Sequence, residues 1–88
     1  ILMRDFFIHL PIPIIKKILI NLKNSNCKYF AFNSYESIVE NKEISTGQHR
    51  KINLLKEPFN MVKPFYKIQE INNENNPDQD NFIYIYKN

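Results

Sequence analysis

"ILMRDFFIHLPIPIIKKILINLKNSNCKYFAFNSY", residues 1–35, decides how this chain is read. The first three residues form an apolar run, the end of a buried strand, closed by the polar pair Arg4-Asp5. From Pro11 the spacing changes. Ile14, Ile15, Ile18, Leu19 and Leu22 recur with the period of a helix that has one apolar face, while Lys16, Lys17 and Lys23 fall elsewhere. Prolines at 11 and 13 are tolerated because the N–H groups of a first helical turn have no acceptor within the helix. Asn24, Ser25 and Asn26 stop it. "KYFAF" at 28–32 is a short aromatic run of the kind found in strands covered on both faces. Strand, helix and strand in so few residues predict a right-handed β-α-β crossover, with the two strands parallel.

Residues 33–63 are polar and weakly periodic, so a long loop is expected, and loops of that length usually carry function. "PFYKIQEI" at 64–71 and "FIYIYK" at 82–87 read as two more strands. In the second, Phe82, Tyr84 and Tyr86 alternate with Ile83 and Ile85, so both faces are apolar and a central place in the sheet follows. The polar stretch "NNENNPDQDN" between them permits an antiparallel hairpin. The fold class is therefore α/β: a crossover, a long loop and a C-terminal antiparallel hairpin in one small domain over residues 1–88.

Composition narrows the function. The net charge is +3, which raises nucleic acid as a partner. However, Ile, Lys and Asn together make up 37 of the 88 residues, so the lysines reflect compositional bias, and they are scattered rather than gathered in a stripe. One cysteine, Cys27, excludes an internal disulfide and argues against a zinc site, which fits a reducing, cytoplasmic setting. The longest apolar stretch is interrupted by His9 and two prolines and is too short to span a bilayer. A single glycine leaves no glycine-rich phosphate cradle. The chain opens on Ile inside a strand, which reads as a fragment.

In open α/β sheets ligands bind beyond the carboxyl ends of parallel strands. Two such ends are expected here, Arg4-Asp5 and Asn33-Ser34-Tyr35, converging on one rim if their strands are neighbours. Asp5 can orient or deprotonate a nucleophile, with Arg4 balancing its charge. The plainer reading is an Asp that caps a turn, with Arg4 as its partner. His9 can act as a general base or be a partly buried residue bonded to backbone. No third ligand accompanies Asp5 and His9, so no metal site is assigned. Thr46, Gly47, His49, Arg50 and Asn53 suit either a loop that closes over a polar substrate or a solvated surface segment.

The succession of "RD", "HL", the 41–54 segment carrying "TG", "R" and "NL", and "PFN" at 58–60 resembles the C-terminal half of class I S-adenosylmethionine-dependent methyltransferases. The closest likeness is to a poorly characterised bacterial-type branch. The resemblance implies a partial Rossmann-like sheet, part of a seven-stranded one whose last strand runs antiparallel. This chain would hold the fourth and fifth strands and the closing hairpin, and the cofactor-binding N-terminal half would be absent. It also implies that Arg4 and Asp5 lie near the cofactor's reactive end and that His9 matches the His before the helix. Thr46, Gly47, Arg50 and Asn53 would face the substrate, beside Asn33 and Tyr35 on the rim. Such a fragment would be inactive alone. Its expected partners are the missing half or a second copy joined through an exposed sheet edge, with no membrane. The alternatives are a non-catalytic module that binds a protein through that edge and, more remotely, a small basic nucleic-acid binder.

Overall fold

A computed structural model describes residues 1–45, 48–70 and 80–88. Strand β1 (Leu2–Met3) leads through a 3-10 turn at Phe7–His9 into helix α1 (Ile12–Lys23). Strands β2 (Tyr29–Tyr35), β3 (Tyr66–Gln69) and β4 (Asn81–Lys87) follow. The sheet order is β1-β2-β4-β3, so the last strand lies between β2 and β3. β1 and β2 are parallel neighbours, as the crossover requires, and β4 runs antiparallel to both β2 and β3. Among the described strands β3 is thus co-directional with β1 and β2, and β4 is reversed. Among the described residues the chain is a small α/β unit with a mixed four-stranded sheet and one α-helix. No helix among the described residues is long and apolar enough to cross a membrane.

The helix begins where the prolines predict. Pro11 takes an extended conformation as N-cap and Pro13 lies in the first turn. Because no N-cap side chain bonds to that turn, a remote group does so: the Ile12 N–H donates to Glu43 Oε1 at 2.8 Å. A carboxylate there also meets the positive end of the helix dipole. Hydrogen bonds from the Ile12 and Ile44 backbones hold Glu43 below the usual carboxylate range. At the other end the Asn24 N–H closes on the Ile20 carbonyl, and Asn88 Nδ2 donates to the Ser25 and Cys27 carbonyls across the turn into β2.

Side chains paired in register share a face of the sheet. Phe30, Phe32, Tyr84 and Tyr86 lie on the face that carries the core, together with Phe7, Ile15 and Leu22 from the crossover and Ile52 and Leu54 from the long segment. Phe7 stacks on Phe32 with ring centroids 4.8 Å apart. The described residues of 36–65 form no helix or strand, yet Ile52 and Leu54 among them complete this cover.

Two strand readings change. Asn33, Ser34 and Tyr35 lie within β2 rather than beyond it, because each polar group has a partner there: Ser34 Oγ accepts from the Leu54 N–H (2.9 Å) and the Tyr35 N–H donates to the Ile52 carbonyl (2.8 Å). β2 is covered on both faces only toward its carboxyl end, since Tyr29 is exposed and Ala31 half-buried. β3 is shorter than the apolar run 64–71, and every residue in it is exposed, as on an edge.

Candidate functional site

The carboxyl ends of β1 and β2 meet. Immediately after β1, Asp5 adopts φ 55°, a left-handed conformation that is uncommon for residues other than glycine and is tolerated by Asp and Asn. The neighbouring strand pins it there: the Asp5 N–H donates to Asn33 Oδ1 at 2.6 Å, and Asn33 Nδ2 donates to Asn81 Oδ1 at 2.9 Å. A left-handed residue at the tip of the strand turns the chain sharply and leaves Asp5 exposed on the rim.

Arg4 does not pair with Asp5. Its guanidinium forms a bidentate bridge to Glu70, with Nε–Oε1 at 2.8 Å and Nη2–Oε2 at 2.9 Å. β1 and β3 are the two outermost strands, so this pair straps across β2 and β4 above the Asn33–Asn81 contact. The hydrogen bond from Arg4 and its charge, against an opposing cost of burial, hold the Glu70 carboxyl below its ordinary value, and Glu70 in turn raises the Arg4 guanidinium. The hydrogen-bonding fork of Arg4 therefore goes to Glu70, while Asp5 acts on the guanidinium through its charge, after Glu70 in strength.

A second carboxylate lies on the other face. Glu36, one residue beyond β2, accepts from the Tyr84 hydroxyl and from Lys67 Nζ at 3.0 Å. Burial pushes Glu36 up, but these two donors outweigh it, so the group lies below its usual range. Burial, helped by Glu36, pushes the Tyr84 hydroxyl strongly upward. Glu36, Lys67 and Tyr84 line a cavity of about 480 Å³ with Leu55, Pro64 and Phe65.

The long segment reaches the same end of the molecule. Arg50 donates to the carbonyls of Lys42 (2.7 Å), Phe7 (2.9 Å) and Leu10 (2.7 Å), and its N–H donates to the Ile8 carbonyl. Its guanidinium therefore stitches the loop to the turn that carries His9. His9 and His49 are exposed, with rings 5.6 Å apart. Asn53 is buried: it donates to the Ile38 carbonyl, and its own N–H is accepted by Asn41 Oδ1 at 2.7 Å. Tyr35 is buried beneath Lys51, whose Nζ lies 5.3 Å from the ring centroid. Thr46 and Gly47 lie outside the described residues.

The structure thus gathers Arg4, Asp5 and Asn33 at one rim and docks the 48–53 stretch on residues 7–10. Arg50 and Asn53 hold backbone rather than present donors outward. Glu70, Asn81, Glu36 and Tyr84 escape a sequence reading, since their partners lie across strands whose order is not encoded locally. A carboxylate inside the apolar run 64–71 is the one visible sign. Among the described residues no group of three His, Cys, Asp or Glu side chains is placed to hold a metal ion. Comparison with protein-family models, curated proteins and solved structures returned no match.

Proposed function

We propose that this chain is the substrate-side half of an S-adenosylmethionine-dependent methyltransferase domain, completed by a second half that supplies most cofactor contacts. The observation that carries this reading is Asp5, turned out at the tip of one parallel strand and fixed by Asn33 of its neighbour, where α/β sheets receive ligands. The reversed strand β4 supports it, because the resemblance implies a sheet whose last strand is antiparallel.

The rim fits the cofactor in part. S-adenosylmethionine, when bound, supplies an electrophilic methyl group on a cationic sulfur. An exposed carboxylate at Asp5 suits a cation or an acceptor hydroxyl, whereas the Arg4 fork is already filled by Glu70. Asp5 is assigned to orienting the methyl acceptor or taking its proton. His9, with His49, borders the entrance, and Asn33 and Tyr35 shape its floor. Arg50 and Asn53 position the loop. A cytoplasmic setting belongs to the same proposal, supported by the single free thiol.

The test uses the product of the complete reading frame that encodes these residues. Calorimetric titration with S-adenosylhomocysteine is expected to show binding. Asp5→Ala should lower turnover at least about 100-fold while changing cofactor affinity little. A folded protein that does not bind S-adenosylhomocysteine overturns the reading.

A second reading, a non-catalytic module for protein association, is favoured by a different feature: the sheet face opposite the core carries exposed apolar side chains.

A further inference from the structure

Among the described residues the face of the sheet opposite the core is covered only at its ends, where Asn33, Tyr35 and Asn81 are buried at the rim and Phe65 lies 6.3 Å from the Tyr29 ring. In register, Leu2, Ala31, Ile85 and Tyr66 form one row across all four strands, and Ile83 and Ile68 continue it toward the rim. Tyr29 and Lys87 end it at the opposite side. Leu2 is 60% exposed, Tyr66 62%, Ile68 47% and Tyr29 46%. None of these residues belongs to the core cluster. Apolar side chains at this density, contiguous and unbroken by charge, mark an interaction surface rather than chance exposure.

We propose that this face docks a second copy of the chain, the two sheets packing face to face about a two-fold axis that lies across the strands. Three observations select this occupant. First, the face spans four strands, an extent that a like sheet covers at a separation of about 10 Å. Second, the exposed side chains offer roughly 600 Å² per copy, or about 1,200 Å² for the pair, the lower limit for a specific association. Third, charge fixes the direction. One end of the face carries Lys87, and the other carries Asp5 beside the neutralised Arg4–Glu70 pair. An axis across the strands lays each Lys87 over the acidic end of its partner. An axis along the strands would set Lys87 against Lys87. The inference shares with the reading of the rim only the charge of Asp5, and association is measured without cofactor, so either can fail alone.

Sedimentation equilibrium from about 1 to about 500 µM tests it. A monomer–dimer equilibrium with Kd on the order of 10–100 µM is expected, since the interface is small. Tyr66→Lys and Ile68→Lys, at exposed positions, should each weaken the dimer at least tenfold while leaving the circular dichroism of the monomer unchanged. Lys87→Glu should also weaken it, and added salt should weaken the native dimer. The proposal is overturned by a monomer at every concentration, or by a dimer indifferent to Tyr66→Lys and Ile68→Lys. Indifference to Lys87→Glu overturns the axis direction, and with it the proposed dimer. Recovery of this face occupied by a different, helical polypeptide would also overturn it.

Discussion

The two faces of one sheet have been treated in opposite ways. On the covered face, Phe32 and Tyr84 lie beneath α1 and the 36–65 segment, and almost every polar group has a named partner. On the open face, Leu2, Ala31, Ile85 and Tyr66 form an apolar row whose outer members Leu2 and Tyr66 are exposed among the described residues. The difference teaches that cover does not require regular structure. A segment whose described residues form no helix or strand serves as the second half of a layer because Ile52 and Leu54 are driven fully inside, and because Asn41, Ser34 and Arg50 replace the hydrogen bonds that a helix would have formed internally.

Deleting equal volume from the two faces should have unequal effects. Leu54→Ala is expected to cost about 3 kcal/mol in urea unfolding, whereas Ile68→Ala should cost under about 0.5 kcal/mol at concentrations where the chain is monomeric. Comparable losses would show that the open face is packed after all. The next largest effect concerns the stitching. Arg50→Met leaves three carbonyls without their donor and should cost about 2 kcal/mol, with Arg50→Lys recovering only part because an ammonium cannot span the fork.

The strap at the rim is smaller, since Arg4 is half exposed and its pairing is screened. Glu70→Gln should cost about 1 kcal/mol near neutral pH. The Glu70 carboxyl is depressed in the folded chain, so its contribution is complete above the unfolded value of about 4.3 and disappears as pH falls through the lower folded value. Unfolding midpoints between about pH 5 and 3 should therefore fall less steeply for Glu70→Gln than for the native chain. Parallel pH profiles would show that Glu70 contributes nothing through its charge. Last comes Tyr86, whose hydroxyl is buried with no hydrogen-bond partner among the described residues. Tyr86→Phe should be neutral or raise stability by up to about 1 kcal/mol, and a clear loss would reveal a partner for that hydroxyl.

Much of the scaffold was legible from local pattern. The period of Ile15 and Leu22 with prolines ahead of them marked α1, and the double-sided apolar character of 82–87 marked a central strand, which β4 is. The meeting of Asp5 with Asn33 followed from the parallel crossover alone. What local pattern could not carry was partnership across the sheet. Glu70 lies far along the chain from Arg4, and the two meet only because β1 and β3 form the outer strands of an order that places β4 inside. Asn33, Ser34 and Tyr35 looked like a loop because polar residues in a buried strand are acceptable only when specific partners exist, and those partners are Asp5, Leu54 and Ile52. Arg50 had the composition of a ligand contact and the geometry of a backbone clamp.

The position of β4 has a consequence for synthesis. β2 and β3 flank a gap that only β4 fills, so neither can join the other while the ribosome is still making the preceding residues. The sheet therefore closes in one late step, and a nascent chain halted before Asn81 should leave Tyr66–Gln69 unpaired and open to protease.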